Sequence, residues 1–175
     1  MAATATPLDA RHGLFHRELD AYPKNATRYL CLGIVVLATV VLYYQLYMSG
    51  AVAVQIMQHY HMSFTYFVNF AVVGYLLGAI ASFTTGFADR YGRANIVVIG
   101  LLIVALLCLV GFPNAHSGFA FAAIYCAIGI VEGVILVATP ALIRDFSPQL
   151  GRAAAMGFWT LGPVVGSLVV SIQTS

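Results

Sequence analysis

The sequence predicts an all-α, polytopic transmembrane bundle of about five spanning helices, and three observations predict it. Hydrophobic residues make up 61% of the chain and charged residues 8%, against about 25% charged in an ordinary soluble domain. The apolar residues come in runs matching the roughly 20 residues that a helix needs to cross a bilayer. All eight lysines and arginines lie in polar segments that flank those runs, and in alternate segments only. A soluble core of this size needs a polar shell, and the residues for one are missing. The lipid bilayer is the solvent that suits such a surface, in line with a mean hydropathy of +0.91.

Residues 1–28 are the one substantial polar stretch and read as a solvated tail. They are not a signal peptide, because their basic residues run up to the apolar segment and that segment is too long for an h-region. Residues 29–175 form the bundle. Its first span runs from about 29 to 57, with a polar-tipped cluster of Tyr43, Tyr44, Gln45 and Tyr47 near its middle. A loop at 58–63 leads to the second span, 64–87. A charged, glycine-containing turn precedes the third, 95–112. Pro, Asn and Gly content marks 113–118 as a tight turn, followed by the fourth span, 119–143. A polar turn with Arg144 and Arg152 leads to the fifth, 153–172.

Five spans place alternate connections on one side. Arg11, Arg17, Lys24 and Arg28 precede the first span, Arg90 and Arg93 separate the second from the third, and Arg144 and Arg152 flank the last turn. The opposite loops carry His59, His61 and His116 and no Lys or Arg. The positive-inside rule then puts the N-terminus in the cytoplasm, and the expected location is the plasma (inner) membrane.

Other classes find little support. A formal charge of +2 does not suggest nucleic acid. Cys31, Cys108 and Cys126 sit within apolar runs as small hydrophobes, without metal or disulfide spacing. The His59-x-His61 pair lacks further ligands, so no metal or cofactor is expected. No nucleophile–base pair or phosphate-cradling loop suggests an enzyme.

Within the spans, Gly74, Gly78, Ser82 and Gly86 recur every fourth residue, a small-residue face that lets another backbone approach closely. This stripe is expected to find its partner on a helix outside the chain. Gly129 with Gly133, and Gly162 with Gly166, repeat the pattern. Pro163 removes one helical hydrogen bond and is expected to bend the fifth span.

Glu132 is the sharpest polar signal, about half-way along the fourth span. An ionised carboxylate at that depth costs about 2.5–3.5 kcal/mol on insertion scales, so it should face the bundle interior or a water-filled cavity. A carboxyl that binds and releases a proton is what proton-coupled transport needs; a hydrogen-bonded structural acid is the alternative. Tyr43, Tyr44, Gln45, Tyr47, Asn69 and Tyr125 are candidates to line a substrate cavity, with Tyr75 a further one.

The charged turn resembles the signature loop between the second and third helices of the major facilitator superfamily. Asp89-Arg90-Tyr91-Gly92-Arg93 match the family's Asp-Arg-x-Gly-Arg in register, with Gly86 one place after the leading glycine position, which holds Thr85, and Ala94 at the second basic position. Gly162-Pro163-Val164-Val165-Gly166-Ser167 resembles the Gly-Pro-x-x-Gly-Gly core of the fifth helix. Gly129-Ile130-Val131-Glu132-Gly133, followed by Pro140-Ala141, is similar to the family's organic-anion branch, where Tyr125 replaces an arginine. The resemblance implies the first five helices of a twelve-helix rocker-type secondary transporter, with a missing C-terminal half. It implies a gate in which Asp89 meets a helix terminus and Arg93 pairs with Asp145. The expected function is proton-coupled movement of a small, uncharged or cationic solute. The alternative is a non-transporting membrane subunit or truncated scaffold.

Overall fold

The computed structural model describes residues 25–87, 92–147 and 151–173. Most of the expected tail, and Asp89 and Arg90 of the signature turn, lie outside the described residues. Within them the chain is helical with no strand. Five helices are long and apolar enough to cross a membrane: Ala26–Ala51, Phe64–Gly86, Arg93–Asn114, Gly118–Asp145 and Arg152–Gln173. These are the five expected spans, with ends shifted by a few residues.

The first span is α1, Asn25–Ala51, continued after Val52 by the short α2, Ala53–His59. The second is α3, Phe64–Ser82, which tightens into a 3-10 turn over Phe83–Phe87. The third is α4, Arg93–Leu106, which widens into a π turn over Leu107–Gly111 and ends at Asn114. The fourth is α5, Gly118–Phe146, and the fifth is α6, Arg152–Trp159, followed by α7, Leu161–Gln173. Helices α3 and α5 start the same way. Ser63 Oγ accepts from the Tyr66 N–H at 3.2 Å and Ser117 Oγ accepts from the Ala120 N–H at 3.1 Å, each satisfying one orphan donor of the first turn. At the other end of the bundle α4 begins on Gly92, whose φ of 83° lies in the region open to glycine. That is a physical reason for a glycine in the signature turn.

Helix α5 is the hub, packing along α3 on one side and α4 on another and also touching α1. Phe121, Tyr125, Ile128, Glu132, Ile135, Thr139 and Leu142 are all buried on it. They recur every three or four residues, which is one face of an α-helix. Ile128 and Ile135 join Leu42 of α1 and Val97 and Val104 of α4 in the main apolar cluster. Helix α1 packs along α7 instead.

Two expectations are corrected. The stripe on the second span does have a partner in the chain: Gly74 and Gly78 are buried against Gly129 and Gly133 of α5, backbone on backbone. Gly86 is not part of that seam and has open space around it. The 3-10 turn that begins at Phe83 has about three residues per turn rather than 3.6, so it rotates Gly86 off the face that Gly78 occupies. In the fifth span, Gly162 packs on Thr39 and Gly166 on Val40 and Tyr43 of α1. The helix is interrupted there at Thr160, one turn before Pro163. Pro163 has no N–H to offer the Trp159 carbonyl four residues earlier.

Candidate functional site

The periodicity of α5 forces Glu132 inward, because the face that buries Ile128 and Ile135 also carries position 132. Its residue exposure is 4%, and among the described residues its Oε1 is buried with no hydrogen-bond partner. It opens onto a small cavity of about 10 Å³, lined also by Gln45, Leu46, Tyr75, Tyr125, Ile128 and Gly129. That volume holds about one water molecule. Gln45, from α1, has its own buried and unpartnered Oε1 among the described residues. Three spans therefore converge: Gln45 from the first, Tyr75 from the second, and Glu132 with Tyr125 from the fourth.

Hydroxyl groups adjoin this cavity in a line. Tyr125 Oη donates to Tyr75 Oη at 3.2 Å, and Ser49 Oγ lies 3.2 Å from Tyr125 Oη. The Tyr125 ring is fixed by edge contact with Phe70, centroids 5.4 Å apart, and by Phe121 beyond it. Gly74 leaves room for that ring, which lies 3.4 Å from where a methyl on residue 74 would sit.

The other cavity candidates go elsewhere. The Tyr43 and Tyr47 rings lean on each other at 6.0 Å, with the Tyr43 stem against Gly166. Tyr44 Oη donates to Gln173 Oε1, so these two positions belong to the seam between the first and fifth spans. Asn69 is exposed and does not line the Glu132 cavity. The structure thus brings together Glu132, Gln45, Tyr125 and Tyr75. Ser49 was not anticipated, although it lies four residues after Gln45 on the same helical face.

A larger cavity of about 430 Å³ lies between the loops at the histidine end, lined by His59, Tyr60, His61, Phe112, His116 and Ser117 among others. Its histidines are exposed. No group of three or more His, Cys, Asp or Glu among the described residues is arranged to hold a metal ion.

At the opposite end, Arg93 Nη1 donates to both carboxylate oxygens of Asp145 at 2.8 Å. The side chains are 27% and 44% exposed. Such a pair is worth about 0.2–1 kcal/mol. Both charges sit against the local helix dipole, since Arg93 opens α4 and Asp145 is next to last in α5. Each placement costs about 0.3–1 kcal/mol. Stability alone does not account for this contact.

Comparison with known proteins places the chain among transport proteins. The family model of the Major Facilitator Superfamily matches residues 35–173. The chain is 28% identical over 106 residues to the cis,cis-muconate transport protein of Acinetobacter baylyi, covering 58% of this chain and 25% of that protein. It is 33% identical over 97 residues to solute carrier family 2, facilitated glucose transporter member 3 of Oryctolagus cuniculus, covering 54% and 20%. It is 31% identical over 108 residues to the multidrug transporter AQR1 of Candida glabrata, covering 58% and 18%. The matched part is thus a quarter or less of each relative's length. No solved structure matches.

Proposed function

Because the chain belongs to the Major Facilitator Superfamily, we propose that it forms the first helices of a secondary active transporter for a small solute, coupled to protons through Glu132. The observation that carries this reading is the buried, unpartnered Glu132 carboxyl oxygen facing a one-water cavity. A fixed structural acid would be paired, because a buried polar atom left without a partner costs about 1–3 kcal/mol. A carboxyl that must take up and release a proton during a cycle needs a vacant lone pair and a route to water.

Alternating access supplies that route. In this reading the halves of a twelve-helix fold rock about a central site, and the Glu132 cavity is reached by water in one arrangement and closed in another. Arg93 and Asp145 form a releasable contact on the gate side, and Asp89 of the same turn acts with them. The proposed orientation has the N-terminus and the arginine end in the cytoplasm at the plasma membrane, supported by the one-sided placement of basic residues. No Lys or Arg lines the cavity among the described residues, which favours an uncharged or cationic solute. The names of the relatives, which specify muconate, glucose and multiple drugs, do not converge on one substrate.

The test is solute-induced proton movement into proteoliposomes carrying the full-length protein, screened over a panel of small solutes. Glu132→Gln should abolish the proton flux while leaving the protein folded. Coupled flux persisting at the wild-type level would refute the role of Glu132.

A further inference from the structure

We propose that Ser49, Tyr125 and Tyr75 form a hydroxyl relay that delivers protons to Glu132 from the histidine end of the bundle. The proposal rests on the proton-coupling reading above and names the path that it requires. The oxygens are spaced for it: Ser49 Oγ to Tyr125 Oη is 3.2 Å, and Tyr125 Oη to Tyr75 Oη is 3.2 Å. Both steps are slightly longer than the roughly 2.5–3.0 Å usual for O–H···O bonds, so each must close by a few tenths of an ångström as a proton passes. The polarity is consistent too. Tyr125 donates to Tyr75, which frees the Tyr125 lone pairs to accept from Ser49 once the Ser49 hydroxyl turns from the Leu46 carbonyl, to which it donates at 3.1 Å. The Tyr75 proton then remains for the cavity, where the Glu132 Oε1 waits without a partner.

The path also climbs. Tyr125 lies seven residues before Glu132 on α5, or about 10 Å along the axis, and Ser49 lies four residues beyond Gln45 on α1, about 6 Å. Both displacements lead from the Glu132–Gln45 level towards the end where His59, His61 and His116 sit. At the far end Ser49 is half-buried two residues before the end of the first span at Ala51, and the relay requires water to reach it from that end. The surroundings of the cavity offer no competing charged base. Gln45 of the first span and Tyr75 of the second face the cavity, Cys108 of the third is within electrostatic reach of Glu132, and no charged side chain other than Glu132 lines the cavity among the described residues.

In one passage, Ser49 accepts a proton from water and passes its own to Tyr125. Tyr125 passes its proton to Tyr75, and Tyr75 passes its proton to the carboxylate through one water, for which the cavity has room. One proton enters and one carboxylic acid forms. Each hydroxyl ends neutral with its proton turned the other way, and rotation about the C–O bonds resets the chain.

The experiment needs no substrate. The full-length protein in lipid nanodiscs is taken through a pH jump, and the carbonyl stretch of protonated Glu132 is followed by time-resolved infrared spectroscopy. Glu132→Gln identifies the band. Tyr125→Phe and Ser49→Ala should each slow its appearance roughly tenfold or more, short of the 10²–10⁴ that a positioned proton-transfer group contributes in catalysis. The final amplitude should be unchanged, and Ser49→Thr, which keeps the hydroxyl, should restore the rate. A rate unchanged in Tyr125→Phe, or slowed only in Tyr75→Phe, would overturn the relay and leave coupling through Glu132 standing. A spectrum with no band lost in Glu132→Gln would overturn both.

Discussion

Gly133→Ala should loosen the bundle at its tightest seam. A methyl on residue 133 would collide with the Gly78 backbone of α3, reaching its carbonyl oxygen, with the carbonyl carbon at 2.5 Å and the Cα at 2.7 Å. Carbon atoms in contact prefer about 3.5–4.0 Å, so the two helices would have to part by about 1 Å. Backbone atoms have no rotamer by which to step aside. Overpacking of this kind costs about 1–3 kcal/mol, and separation also weakens the neighbouring contact of Gly129 with Gly74. Against this, replacing a helical glycine by alanine gains about 0.5–1 kcal/mol. The net expectation is a loss of about 1–2 kcal/mol. Gly33→Ala is the control, because nothing lies within 4 Å of a methyl there and only the helix-propensity gain remains. Thermal unfolding of both variants in the same detergent should move the midpoint down for Gly133→Ala and slightly up for Gly33→Ala. Equal midpoints would refute the claim that backbone contact between α3 and α5 holds the second and fourth spans together.

Two further outcomes follow from local geometry. The double exchange Arg93→Asp with Asp145→Arg keeps an opposite-charge pair but turns both charges to favour their helix termini. It should raise stability by about 1 kcal/mol while each single exchange lowers it, as a double-mutant cycle on unfolding would show. A double variant less stable than wild type would count against the dipole argument. Thr39→Val keeps the shape of a fully buried residue but removes the oxygen that accepts from Trp159 Nε1–H at 3.1 Å. The stranded indole donor should cost about 1–3 kcal/mol, with a shift in tryptophan emission as a second readout, the chain having a single Trp.

The spans were legible in the sequence because length and apolarity set them independently of tertiary context. Partners were not legible. The glycines of the second span announce a close neighbour, but a small-residue face is equally complementary to any other, so its match to Gly129 and Gly133 rather than to a helix elsewhere emerges only in three dimensions. Gly86 was misassigned because a fourfold count assumes α-geometry past Phe83, where the helix tightens. Of the site, Glu132 was plain from sequence, since one carboxyl in an apolar run has no cheap place but the interior. The polar cluster of the first span was harder. Polar-tipped residues at 43, 44, 45 and 47 cannot all share one face of a helix, and only Gln45 turns towards Glu132, while Tyr43 and Tyr44 join the fifth span.

The same helical count explains why the site lies where it does. On α5 the buried residues step from Tyr125 to Ile128 to Glu132 to Ile135, and the glycines that admit α3 fall at 129 and 133, beside the carboxyl. Close approach of the second span is therefore what brings Tyr75 to Glu132: Gly74, the residue before it, lies on the Gly129 backbone. A seam that tight fixes the Tyr125–Tyr75 contact without any charged residue to hold it. The contact between Arg93 and Asp145 is opposite in character, half-exposed and set against two helix dipoles. Under the proposed mechanism this division is useful, because proton transfer along hydroxyls 3.2 Å apart requires them to stay within a few tenths of an ångström of bonding distance, and a gate requires a contact that breaks at little cost. Loosening the glycine seam should then slow protonation of Glu132 as well as lower stability, whereas strengthening the ion pair should leave protonation alone and slow only the opening of the gate.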